Sequence, residues 1–140
     1  FGAKYKGYCS DMTRMLYLGT PTKKEIEDYN LVLKTNKSCE KAVVVKKKFL
    51  ELHNLAVEIL EEKSKFFTHF LGHGLGLDIH ESPTLGPDSK TKIKENIPFT
   101  IEPGIYFPNK YGIRIEDTLV LEKNKIKILT KSKKELVIIK

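Results

Sequence analysis

The sequence predicts an α+β domain, with two helices laid on a mainly antiparallel sheet. Hydrophobic residues recur at helical spacing only between about residues 22 and 62. On either side the apolar residues alternate with polar ones in short runs separated by Gly, Pro and Asn. The resulting order is two strands, two helices and about four strands, which places the helices on one sheet instead of threading them between parallel strands.

Each element has its own signal. FGAKYKGYCSDMTRMLYLG reads as strands over about 1–8 and 10–18, with Gly7 at the bend. Thr22 and Glu25 form a capping-box pattern just after Pro21. Ile26, Tyr29, Val32 and Leu33 then follow at helical spacing, and this helix is expected to run to about Val45, where Val43–Val45 weaken it. A second helix is expected near 48–62, with Phe49, Leu52, Leu55, Ala56, Ile59 and Leu60 on one stripe. HFLGHGLGLDIHE (69–81) reads as a strand or a glycine-broken segment, and ESPTLGPDSKTKIKEN (81–96) as a loop punctuated by Pro83, Gly86 and Pro87. PFTIEPGIYFP and GIRIEDTLVLE read as two strands joined by a turn around Asn109–Gly112, with KIKILT and ELVIIK as closing strands. No linker, repeat or low-complexity segment divides the chain, so residues 1–140 are read as one domain.

Composition narrows the function classes. The net charge of +7 arises from 25 basic residues, of which only Arg14 and Arg114 are arginines. The lysines are scattered, with short clusters at Lys46–Lys48 and around Lys131–Lys134, so no concentrated basic stripe speaks for nucleic acid. Where lysine is the default cation, an arginine is more often retained for its planar fork. No apolar run approaches the ~20 residues that span a bilayer. Cys9 and Cys39 lack close metal-ligand spacing and read as free thiols of a cytoplasmic protein. The chain begins with Phe1 and not Met, which reads as a processed product or an excised piece.

Three of the four histidines, His69, His73 and His80, fall within thirteen residues of an otherwise apolar stretch. Glu102 and Glu116 sit within apolar strand patterns. Thr100 shares a face with Glu102, and Arg114 with Glu116, while Asp117 faces away. Buried carboxylates on neighbouring strands repel unless a cation or a shared proton lies between them. Each acid alone has a plainer explanation: Glu102 and Glu116 as exposed strand residues or partners of Arg114, Asp11 as a turn residue, His73 as a structural histidine between Gly72 and Gly74. Together, one Asp, one His and two Glu form an oxygen-rich set suited to Mn²⁺, Co²⁺ or Zn²⁺. Two such ions about 3.5–4 Å apart hold a shared water and deprotonate it near neutral pH for attack on a carbonyl.

GYCSDMTR, HFLGHGLGLDIHE, FTIEPGIYFP and GIRIEDTLVL occur in that order, and together they resemble the catalytic domain of the pita-bread metallopeptidases. The resemblance covers nearly the whole chain and points to the Xaa-Pro branch, aminopeptidase P and prolidase-type dipeptidases. It implies a creatinase/aminopeptidase-like fold, its helices packed on a curved, mainly antiparallel sheet. It also implies a site for two divalent metals, manganese before cobalt or zinc. Asp11, His73, Glu102 and Glu116 match four of the five metal ligands, Asp11 and Glu116 being the bridging carboxylates. Glu102 also matches the acceptor of a proton from the attacking water. His69 and His80 match histidines that contact substrate and steady the intermediate, and Arg114 an arginine that orients the last ligand. Methionine aminopeptidases carry His-Thr after the last Glu ligand, whereas Asp117-Thr118 follows Glu116 here.

Two departures shape the expectations. The family's first Asp ligand lies eleven residues before the second, which falls one position ahead of Phe1. The chain is therefore expected to be the C-terminal portion of a catalytic domain, with the N-terminal part of the fold missing, and inactive as it stands. Lys90, Lys92 and Lys94 occupy a loop where prolidases tend to carry an arginine for the substrate's C-terminal carboxylate. The expected activity is therefore an Xaa-Pro aminopeptidase acting on peptides with proline in second position, with the dipeptidase as the alternative. A non-catalytic peptide-binding relative is the rival from another class, and it is disfavoured because such modules usually lack several of the acids. A cytoplasmic location, a homodimer, and no nucleic-acid or membrane partner complete the expectations.

Overall fold

The computed structural model describes residues 1–140. It opens with a hairpin of β1 (Gly2–Tyr5) and β2 (Tyr8–Asp11), turned at Lys6–Gly7, both at positive φ. Asp11 is the last residue of β2. The predicted second strand is interrupted there, and the chain resumes as β3 (Leu16–Leu18).

The first helix, α1 (Lys23–Lys41), begins at the expected capping box: Glu25 N–H donates to Thr22 Oγ1 (3.2 Å) and Thr22 N–H to the Glu25 carboxylate (2.7 Å). It ends four residues short of Val45. The β-branched run does not extend it, and Val43 turns into the core instead. Its inward face is more polar than the sequence stripe indicated, since Asp28, Thr35, Asn36 and Glu40 are buried with Tyr29, Val32 and Cys39. Helix α2 (Phe49–Leu60) buries Phe49, Leu52, Ala56 and Leu60 at the expected spacing, and a 3₁₀ turn at Glu61–Phe66 closes it.

The central sheet has five antiparallel strands in the order β10-β9-β6-β4-β5. These are β4 (His73–Gly74), β5 (Glu81–Thr84), β6 (Phe99–Ile101), β9 (Asp117–Glu122) and β10 (Lys125–Ile128). The predicted loop after His80 thus contributes a strand. Each of the two predicted long strands is split: β6 gives way to β7 (Gly104–Phe107), and β8 (Tyr111–Arg114) to β9. Strands β7 and β8 form a separate hairpin, with Gly104 opposite Arg114. The closing strand β11 (Val137–Ile139) pairs in parallel with β3.

The larger core lies between the helices and the sheet. Phe49 of α2 meets Phe99 of β6 edge-on, ring centroids 4.9 Å apart, and Leu71, Leu119 and Leu121 close around them. A second cluster joins Tyr29 and Val32 of α1 to Ile105, Ile113 and Ile115 of the β7–β8 arm. No helix is long and apolar enough to cross a membrane. Phe99 is fully buried, so Phe99→Ala is expected to destabilise the fold by about 3–5 kcal/mol in urea or guanidinium unfolding, the range for large aromatic truncations in a core.

Candidate metal centre

The split strands place the acids. The β6–β9 ladder ends at Ile101 opposite Asp117, and the β7–β8 ladder begins at Gly104 opposite Arg114. Glu102 and Pro103 therefore fall in the gap on one strand, with Ile115 and Glu116 on the other. Pro103 has no N–H for a ladder bond. One backbone bond still crosses the gap, from Ile115 N–H to Pro103 O (3.3 Å), and the groups around it turn elsewhere. Glu102 N–H donates to Leu71 O (2.8 Å), two residues before His73. Glu116 N–H donates to Thr13 O (3.2 Å), two residues after Asp11. From α1, the buried Asn36 amide donates to Ile101 O (3.0 Å) and Ile115 O (3.3 Å), the carbonyls just before the two glutamates.

His73 is held on a strand of only two residues between β5 and β6. A Cβ on Gly72 would run into the Thr100 carbonyl, and one on Gly74 into the Ser82 carbonyl, so glycine on either side is what allows the close approach. His73 N–H donates to Thr100 Oγ1 (3.0 Å), whose hydroxyl donates on to Glu102 Oε1 (3.1 Å). The His73 Nδ1 faces Gly74 O at 3.0 Å; a carbonyl only accepts, so Nδ1 carries the proton and Nε2 presents a lone pair. That lone pair points into the acids, with Nε2 3.3 Å from Glu102 Oε1 and 3.7 Å from Asp11 Oδ2.

Asp11, His73 and Glu116 each offer a donor atom, and these atoms lie within 4.8 Å of one another. Glu102 stands outside that tight group but against His73. Thr13 donates to Glu116 Oε2 (2.6 Å) and accepts from Arg114 Nε (3.0 Å), so a threonine stands between the arginine Nε and the carboxylate it was expected to orient. The cleft above has a volume of about 740 Å³ and is lined by His69, His73, His80, Glu102 and Arg114 together with Tyr106. His80 is exposed, its ring packed edge-on to His73 with centroids 4.3 Å apart. His69 has both ring nitrogens engaged: Nδ1 donates to Phe70 O (2.7 Å) and Nε2 accepts from the Tyr106 hydroxyl (3.0 Å). Its expected donation to a substrate therefore requires Tyr106 to move or the ring to protonate. Sequence reading missed Thr13, Asn36 and Tyr106. Only Thr100 was signalled, by sharing a strand face with Glu102.

Electrostatics fit the site to a cation. Burial pushes the Glu102 carboxyl up to about 7, and the Glu116 and Asp11 carboxylates add to the rise while Thr100 and Arg114 oppose it. Burial also raises Glu116, against the Thr13 hydrogen bond, and Asp11 raises it further. Burial lowers His73, keeping its ring neutral and fit to ligate. Three crowded acids beside a neutral imidazole whose Nδ1–H is tied to a carbonyl form a donor set for hard divalent ions.

Asp117, one residue from Glu116, shows the contrast. Burial alone would raise it, but Lys134, Thr130 and Arg14 hold it below the ordinary range. Arg14 Nη2 lies 2.6 Å from its Oδ1 and Lys134 Nζ 2.5 Å from its Oδ2. Lys134 also donates to Asn36 Oδ1 (2.7 Å) and Glu40 Oε1 (2.7 Å).

Fold and donor set together place the chain in a metallopeptidase family. Residues 1–123 match metallopeptidase family M24, and the chain belongs to that family, whose solved members share the pita-bread fold. The Xaa-Pro dipeptidase of Pyrococcus furiosus is 43% identical over 138 residues, which cover 97% of this chain and 40% of that protein. Among solved structures, a dipeptidase from Pyrococcus horikoshii superposes with TM-score 0.95 at 42% identity, over 99% of this chain and 39% of that one. An X-Pro aminopeptidase from Thermotoga maritima gives TM-score 0.95 at 35% identity, over 99% of this chain and 40% of its own. The chain thus spans about 40% of the length of the curated relatives it matches.

Raised carboxyls bind protons in the fold that the unfolded chain has released. The contribution of Glu102 to metal-free stability is thus present below its ordinary value of 4.5 and lost as pH rises to about 7. Glu102→Gln is expected to abolish up to about 3 kcal/mol of this pH dependence. The check is to compare metal-free wild type and variant by denaturant unfolding between pH 4.5 and 7.5; identical pH profiles would refute it.

Proposed function

We infer that the chain supplies most of the active site of a dinuclear metal-dependent Xaa-Pro dipeptidase. The observation that carries this reading is the convergence of Asp11, His73, Glu102 and Glu116 at the interrupted strands. Asp11, His73, Glu102 and Glu116 would hold two divalent ions, manganese before cobalt or zinc. Bound there, such ions supply Lewis acidity and lower the pKa of an attacking water.

The chain's own residues account for the remaining steps. Glu102 accepts the proton of the attacking water and returns it to the leaving proline nitrogen. That nitrogen belongs to a tertiary amide without an N–H. His80 stands open in the cleft beside His73 and can donate to the carbonyl oxygen as charge develops on it. The pair of His69 and Tyr106 frames the same cleft. Arg114, through Thr13, keeps one Glu116 oxygen occupied and so fixes the orientation of the carboxylate.

The sequence reading put the aminopeptidase first because of the lysines at 90–94. Relatives named Xaa-Pro dipeptidase at 43% and 41% identity support the dipeptidase instead. The aminopeptidase remains the second reading, favoured by the Thermotoga maritima structure. Of the three lysines, Lys90 alone lines a polar cleft of about 400 Å³ that shares Phe70, Ser82 and Thr84 with the main one, and of the three it is the one placed to meet a substrate carboxylate.

The test uses protein expressed from the complete reading frame and loaded with Mn²⁺. The expected result is a kcat/KM for Xaa-Pro dipeptides well above that for Xaa-Pro-Yaa tripeptides, with Glu102→Gln lowering kcat by ~10²–10⁴-fold. A reversed ratio favours the aminopeptidase; no hydrolysis of either, or full activity in Glu116→Ala, defeats the peptidase reading.

A further inference from the structure

We propose that Arg14 is a positioning residue for the metal centre, a staple that sets the spacing between the segments bearing Asp11 and Glu116. The inference rests on the metal-centre reading above and adds a residue that touches neither ion nor substrate. A single guanidinium nitrogen, Arg14 Nη1, donates to two main-chain carbonyls at once, Thr13 O (2.9 Å) and Glu116 O (2.6 Å). Those carbonyls belong to the two backbones that carry the acids Asp11 and Glu116, which are also joined by an isolated bridge of Thr13 with Glu116 and by Thr118 Oγ1 donating to Asp11 O (2.7 Å). The rest of the fork is occupied as well. Arg14 Nη2 donates to Asp117 Oδ1 (2.6 Å), and Nε and Nη2 both reach Ser132 O (3.1 and 2.9 Å). Its side chain is only 15% exposed and that of Asp117 is fully buried, so the arrangement is shielded from competing water.

The residue type agrees with the task. One of two arginines among 25 basic residues stands here. A lysine ammonium is a point donor on a flexible stem and cannot span the Thr13, Glu116, Asp117 and Ser132 oxygens from one rigid plane. Thr13 works on the same acid from the other direction, holding a carboxylate oxygen of Glu116 while Arg14 holds its backbone. Two carboxylates that hold a metal pair between them must keep a fixed separation, and that separation is what the staple controls.

The experiment compares wild type, Arg14→Lys and Asp28→Asn in protein from the complete reading frame. Asp28 is an equally buried carboxylate, held by Lys24, Lys63 and Tyr111 away from the ligands, and serves as a purely structural control. Mn²⁺ is titrated by calorimetry, and electron paramagnetic resonance reads whether the bound ions form a spin-coupled pair. Arg14→Lys is expected to weaken Mn²⁺ binding roughly 10–100-fold and to replace the coupled signal by that of isolated ions. Asp28→Asn is expected to lower Tm while keeping the coupled signal. Should Arg14→Lys fail to fold, Asp117→Asn, which removes the anchor of Nη2, is expected to alter the signal in the same sense. Wild-type affinity and signal in the Arg14 and Asp117 variants overturn the inference alone, as does equal loss of Mn²⁺ in Asp28→Asn. A wild type that takes up no manganese overturns the metal-centre reading with it.

Discussion

The site depends on an interrupted hairpin. Two strands run side by side from Phe99 to Phe107 and from Tyr111 to Leu119, and their ladder thins to a single bond, Ile115 N–H to Pro103 O, where Glu102 and Glu116 sit. A continuous ladder would tie both backbones to each other and leave nothing to hold the segments that bring Asp11 and His73. At the break each glutamate spends its N–H on one of those segments, at Thr13 and at Leu71, while Asn36 satisfies the carbonyls before them. Buried backbone groups must find partners. Here that requirement itself draws four distant stretches of sequence to one point.

Adjacent residues on β9 and its approach divide the electrostatics. Asp117 is buried with Arg14, Lys134 and Thr130 around it and is held charged. Glu116, facing the other way, is buried against two further acids and has a hydroxyl in place of a direct cation. The strand alternation therefore separates a neutralised charge, which contributes to folding, from an uncompensated one, which is costly to the fold and useful to a cation. Arg114 moderates the second group without cancelling it, because its Nε is directed to Thr13.

Much of this was legible in the sequence, and the failures have physical causes. The capping box at Thr22, the apolar stripe of α2 and the turn at Gly7 are local signals and were readable as such. So were the acids and His73, because a carboxylate in an apolar strand pattern is conspicuous. The strand breaks were not, since FTIEPGI and IRIEDTL keep their alternation through the gap and only Pro103 marks it. The polar inner face of α1 was hidden as well. Asn36 and Glu40 look like solvent positions until Lys134, nearly a hundred residues later, is seen to reach them. The preference for an aminopeptidase over a dipeptidase came from three loop lysines, only one of which lines a cleft beside the site.

That long-range reach bears on where the domain stops. The family match ends at residue 123, yet Thr130, Ser132 and Lys134 lie beyond it and bind Asp117, Arg14, Asn36 and Glu40. A boundary drawn at the match would trim away the counter-charge of a fully buried aspartate and one side of the arginine clasp. The tail holds none of the proposed ligands, but it behaves as the rear wall of the room they occupy, and anyone shortening this protein would have to leave it standing.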